Sequence, residues 1–222
     1  MNKFFKKVEF WIFVFFLIRL IGITNPPLET GHNWRQVTGL MVTRNYLEVD
    51  DNILFPRVDD HQGESGIIGM EFPTLNYIYF GVSKIFGHDH WYGRLINLII
   101  SSIGLLFFSK IIRRFFDRKV VVASTIFLLG SIWFSFSRKM MPDTYCISLM
   151  FIGIYNGLRY LDTGKISTIL LYIIFTSLAI LSKIPAGIYF ALLIPMMFSD
   201  FSRIRKVTIS SLTLIPISLT YI

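Results

Sequence analysis

A chain of 222 residues that is 53% hydrophobic and 16% aromatic, with a mean hydropathy of +0.57, carries more apolar side chain than a soluble core of this size needs. The formal charge of +8 does not mark a nucleic-acid binder, because the basic residues cluster at the ends of apolar runs, as topology signals do. The single cysteine, Cys146, excludes a disulfide framework and a cysteine metal cluster.

Taken in chain order, the sequence predicts an all-α, polytopic membrane protein forming one domain over 1–222. Stretches able to approach a span of roughly 20 apolar residues are 8–24, 93–112, 120–136, 144–160, 166–181, 186–198 and 207–222, about seven transmembrane helices. The first follows Lys3, Lys6 and Lys7. It ends in Ile21-Gly22-Ile23-Thr24-Asn25-Pro26, which has no small-x-small cleavage site, so it is expected to stay as an anchor. The last stops inside an apolar run, so the chain is expected to be truncated or split, with a partner chain or missing segment completing it.

Alternating through these stretches from a cytoplasmic N-terminus gathers Lys110, Arg113, Arg114, Arg118, Lys119, Arg159, Lys165, Arg203, Arg205 and Lys206 inside. Most acids fall outside. The expected location is the plasma or inner membrane, with the polar residues 25–92 extracytoplasmic.

That long segment holds every histidine. Within it, Trp34, Val37, Leu40, Met41 and Leu47 recur at helical spacing and predict a surface helix over 34–47. Phe72, Leu75, Ile78, Tyr79, Val82, Ile85 and Phe86 predict a second over 73–87, with Pro73 at its first position. Both are too short to cross comfortably and suit the membrane surface. Between them, residues 49–69 are rich in Asp, Gly, Pro and Asn and read as an irregular loop.

Four polar groups fall on the outer side. Glu29-Thr30-Gly31-His32-Asn33-Trp34-Arg35-Gln36 offers an acid, an imidazole, a guanidinium and an amide, enough for a base and an anion clamp, or else an ordinary headgroup-level loop. Glu71 precedes Phe72-Pro73, where it could equally be a favourable charge at a helix start. Arg138-Lys139-Met140-Met141-Pro142-Asp143 keeps cations outside against the topological trend, which suggests anion binding. Lys183, in Leu181-Ser182-Lys183-Ile184-Pro185, either snorkels or adds a phosphate contact. His88-Asp89-His90 has no visible third partner, so no metal or other cofactor is assigned.

These motifs, in this order, resemble the membrane-embedded glycosyltransferases of the GT-C fold, the superfamily of protein O-mannosyltransferases and aminoarabinose transferases. His32-Asn33-Trp34-Arg35-Gln36 followed by Thr43-Arg44-Asn45 resembles the "HxWRQ…ARN" opening of a bacterial branch. Glu71-Phe72-Pro73 stands where relatives carry an acid or lysine before Pro. Phe86-Gly87 with Arg94-Leu95, Arg138 with Pro142-Asp143, and the segment around Lys183 resemble three further family motifs.

The resemblance implies a glycosyltransferase that moves a sugar from a polyprenyl-phosphate-linked donor to a glycan, lipid or protein acceptor at the extracytoplasmic face. It implies an acid of the first outer loop as general base and cations on the lipid phosphate. The family's acidic pair falls at Arg35-Gln36, and the related branch's acid at Thr38; neither place is acidic here. Glu29 is therefore expected as base, then Glu71 or Asp59/Asp60, with His32, Trp34, Arg35, Gln36, Arg138, Asp143 and Lys183 binding substrate. The alternative is a non-catalytic membrane protein, either a transporter or an envelope-assembly subunit, or an inactive fragment of such an enzyme.

Overall fold

The computed structural model describes residues 7–26, 32–59 and 65–219. All seven apolar stretches become helical. They form α1 (Val8–Leu20), α4 (Tyr92–Ile112), α5 (Arg118–Gly130) with α6 (Ile132–Ser135), α7 (Pro142–Thr163), α8 (Ile166–Ser182), a 3-10 helix Ile184–Leu193 with α9 (Ile194–Met197), and α10 (Arg203–Ser218). The two surface helices are α2 (Asn33–Glu48) and α3 (Thr74–Phe86). The only extended pairing among the described residues is an isolated bridge between Arg57 and Ile67 in the loop joining them.

By length and composition one described helix, α4, can cross a membrane on its own; its 21 residues rise about 31 Å. A second emerges if α5, α6 and the 3-10 turn Phe136–Arg138 count as one span bent by 55°. That bend sits at Ser131, whose hydroxyl accepts from Phe134 N and starts a new helical turn. The sixth stretch is shortened by Pro185 and Pro195, each lacking the N–H a continuous helix needs.

α7 is long enough at 22 residues, starting on Pro142 and closed by Gly164 in the left-handed conformation. It is the hub of the molecule: Leu149, Met150, Ile154, Leu158 and Leu161 are buried between α4, α8 and α10. α4 packs on its other side against α1 and α5 through Ile12, Leu98, Leu105 and Leu129. Lipid gives helices no hydrophobic drive toward one another, so close approach of small residues has to supply the packing. At Gly104 of α4 an added Cβ would lie 2.6 Å from the Cα of Ser148 on α7. At Gly153 of α7 it would lie 2.6 Å from Thr176 Cγ2 on α8.

The helix ends sort into two sets. At one end Arg114 makes a bidentate pair with Asp162 at 2.7 Å, and Arg205 donates to the carbonyls of Leu161 and Asp162 at the C-terminus of α7. At the other, Arg94, buried at the start of α4, donates to the carbonyls of Ile23 and Asn25 and holds the chain leaving α1. His90 contacts Thr24 O there at 2.9 Å.

The surface helices bury faces of mixed character. On α2 the buried side is Gln36, Gly39, Val42, Thr43, Asn45 and Tyr46, while Trp34 is 70% exposed and Val37, Leu40 and Met41 are only partly covered. The polar members find partners inside: Asn76 of α3 donates to Gly39 O at 2.8 Å, and Asn45 donates to Arg57 O and to Asp59. On α3, Leu75, Asn76, Tyr79, Phe80 and Ser83 face inward, and Ile78, Ile85 and Phe86 are exposed. Part of each apolar stripe, Trp34 on α2 and Ile78, Ile85 and Phe86 on α3, is thus exposed, as suits helices lying against lipid, while Leu75 and Tyr79 pack inside. Pro73 caps α3 from just outside instead of occupying its first turn.

Candidate functional site

A cavity of about 370 Å³ lies where the surface helices meet the starts and ends of the bundle helices. Trp34, Arg35 and Thr38 of α2 form one wall. Glu71, Asn76 and Pro73 form the second, and Met140, Pro142 and Ser182 close it from the bundle. Its volume falls in the range of small-ligand sites.

Chain connectivity explains why these segments meet. Phe72 N donates to Leu181 O at 3.1 Å, and the hydroxyls of Thr74 and Ser182 share a hydrogen bond of 2.9 Å. Together they pin the start of α3, and so Glu71, to the end of α8. On the other side Asn97 of α4 is wholly buried and donates to the carbonyls of Lys139, at 2.7 Å, and Met141, at 3.1 Å. Its oxygen accepts from Ser101 and Thr144. A single amide thereby sets the shape of the hairpin that presents Met140 and Pro142. Tyr79, also fully buried, donates to Asp89 O at 2.8 Å and stacks on His88, fixing the far end of α3. Burial first, then the nearby Asp89, pushes its phenol above the ordinary value, so it stays a donor.

Two ion pairs stand beside the cavity. Arg35 pairs with Glu71, and Lys183 with Asp143. All four side chains keep about a third of their surface exposed, so each pair adds little to stability, about 1 kcal/mol or less. Their interest is chemical. Arg35 and Glu71 line the cavity, Asp143 and Lys183 adjoin its wall residues Pro142 and Ser182, and Asp143 Oδ2 is buried without a hydrogen bond.

The remaining expected residues divide. Glu29 and Asp60 lie outside the described residues. His32 begins α2 at a positive φ of 59° with its ring 5.5 Å from Phe136, away from the cavity lining. Gln36 is buried, and neither side-chain atom finds a hydrogen-bond partner. Arg138 points to the α1 exit, donating to Gly22 O at 3.0 Å, and is not among the cavity's walls. Asp59 accepts from Arg44 and Asn45 and is likewise remote. His88, Asp89 and His90 are engaged with Tyr79, Trp91 and Thr24. Among the described residues no group of three His, Cys, Asp or Glu side chains is placed to hold a metal.

Sequence reasoning did not single out Asn97, Thr74 or Ser182 as positioning residues. A buried amide inside an apolar stretch is the signal that marks Asn97. Nothing local distinguishes the two hydroxyls, which meet across 108 residues of chain.

An all-helical bundle with two surface helices thus roofs a charged cavity at one end. The sequence model of the dolichyl-phosphate-mannose-protein mannosyltransferase family matches residues 71–222, well over half of the chain, and the chain belongs to that family of membrane glycosyltransferases of the GT-C type. No curated protein and no solved structure matches it. The family match begins at Glu71, so the His32–Gln36 motif lies outside it.

Proposed function

We propose that the chain transfers a sugar from a polyprenyl-phosphate-linked donor to an acceptor hydroxyl at the extracytoplasmic face, within a seven-span membrane domain of the HxWRQ branch. The observation that carries this reading is the convergence of Arg35, Glu71, Pro142-Asp143 and Ser182-Lys183, separate in sequence, around one cavity. The donor phosphate takes Arg35 and Lys183 as partners, two cations that can balance the charge developing on it. Capture of Arg35 by phosphate releases Glu71 from its ion pair. The Glu71 carboxylate then accepts the acceptor's hydroxyl proton as that oxygen bonds to the anomeric carbon. The bond from that carbon to the phosphate oxygen breaks, and polyprenyl phosphate leaves on the two cations. The exposed Trp34 of α2 and Ile78, Ile85 and Phe86 of α3 hold the cavity at headgroup depth.

The test is sugar transfer from radiolabelled polyprenyl-phosphate sugars in membranes carrying the full chain. Glu71→Gln is expected to lower transfer at least a hundredfold, the scale of general-base catalysis, with membrane insertion unchanged. Transfer retained by Glu71→Gln but lost by Glu29→Gln moves the base to Glu29. Donor binding without turnover in the unmodified chain supports the non-catalytic reading instead.

A further inference from the structure

At the end of the bundle opposite this cavity, a second pocket of about 390 Å³ is lined by Lys110, Arg113, Arg114, Tyr155, Arg159 and Asp162. It holds four cations against one acid, and that acid is already engaged by Arg114. Lys110 lies over the rings of Phe107 and Tyr155, at 4.6 and 5.4 Å from their centroids. Arg113 and Arg159 form no ion pair with any described residue. The pocket is therefore net positive, with Arg114 and Lys110 partnered and the exposed Arg113 and Arg159 uncompensated.

An apolar groove of about 570 Å³ opens directly from it. Lys110, Tyr155 and Arg159 line both. The groove runs between α4, α7 and α8, past Phe107, Ile103 and Ile100 on the α4 side and Phe175 on the α8 side. Along α7 its lining runs from Arg159 to Tyr145, about 21 Å, and includes Ile78 of α3, long enough for an extended acyl chain. A cationic patch joined to an apolar slot of this length matches an amphiphile with an anionic head and a fatty tail.

We infer that this end of the bundle is a binding site for an anionic phospholipid of the leaflet it faces, with its phosphate at Lys110, Arg113 and Arg159 and one acyl chain in the groove. The inference rests on the membrane-embedded reading of the chain but not on sugar transfer. Pro142 at the donor-side cavity and Arg159 here lie 17 residues apart along α7, about 25 Å, so one headgroup cannot serve both.

The test is native mass spectrometry of the detergent-purified full chain with added dioleoyl phosphatidylglycerol, dioleoyl phosphatidylcholine or inorganic phosphate. Phosphatidylglycerol is expected to bind in preference to phosphatidylcholine. The doubly substituted Arg113→Gln/Arg159→Gln chain is expected to bind phosphatidylglycerol roughly thirtyfold more weakly, about fivefold per cation. Ile103→Trp, which fills the groove and leaves every charge in place, is expected to weaken both lipids, and Glu71→Gln to leave both unchanged. Equal binding of the two lipids, or phosphatidylglycerol binding indifferent to both the charge and the groove variants, overturns the inference. Displacement of the lipid by millimolar inorganic phosphate overturns it in favour of a site for free anions. Sugar transfer plays no part in the readout, so its absence leaves this result intact.

Discussion

Replacing Gly104 by alanine tests whether α4 and α7 pack as tightly as the fold requires. The added Cβ would stand 2.6 Å from Ser148 Cα, whereas carbon atoms in good contact sit about 3.5–4.0 Å apart. Ser148 cannot swing away at no cost, because its hydroxyl donates to Thr144 O at 2.6 Å, and the closest obstacle includes backbone. The two helices must therefore part by about 1 Å. Overpacking of this kind costs about 1–3 kcal/mol, and alanine's better helix propensity returns up to about 1 kcal/mol. With the full return taken the net loss is about 0–2 kcal/mol, a fall of up to roughly 8 °C in the thermal midpoint for a chain of this size. Gly81, in the middle of α3, is the internal control, since a Cβ there meets nothing within 4 Å. Gly81→Ala should leave the midpoint unchanged or raise it. Both variants are read by thermal unfolding of the purified protein in detergent. A Gly104→Ala protein as stable as Gly81→Ala would refute the packing argument.

Asn97→Leu leaves the carbonyls of Lys139 and Met141 without their donor; at about 1–3 kcal/mol per orphaned group, it should cost about 2–6 kcal/mol in the same unfolding assay and depress transfer more than Ser101→Ala does. Sidedness follows from the helix ends. Cysteine placed at the exposed Val49 should label with an impermeant thiol reagent from outside intact cells, and cysteine at the exposed Lys165 should not; native Cys146 is buried and stays silent. The reverse pattern would place the cavity in the cytoplasm.

The helices were legible because apolar runs of that length have few alternatives: every stretch proposed for a span became helical, and α2 and α3 fall within two residues of their expected bounds. Which of their side chains turn inward was not. Periodicity identifies an apolar face, but that face divides between packing and exposure while polar residues pair inside, as Asn76 with Gly39 O and Asn45 with Asp59 show. The bend at Ser131 was hidden inside the apolar run 120–136, whereas the break at Pro185 fell between two predicted stretches. At the site, Arg35 with Glu71 and Lys183 with Asp143 came from motifs whose common side of the membrane was deducible, whereas their pairing depends on long-range packing. Arg138 was expected among them for its charge on the outer hairpin and its place in the motif with Pro142-Asp143; its contact with Gly22 O depends on where α1 ends, which the sequence of the hairpin does not encode.

The central claim is that the lipid-linked donor sits in the cavity between α2, α3 and the starts of the bundle helices. A polyprenyl-phosphate sugar carrying a diazirine on its sugar, photolysed in membranes and mapped by peptide mass spectrometry, addresses that directly. The account predicts label on peptides containing Trp34, Glu71 or Pro142, reduced when Arg35 and Lys183 are both replaced by glutamine. Label confined to peptides from the opposite end of the bundle, around Arg114 and Arg159, would contradict it.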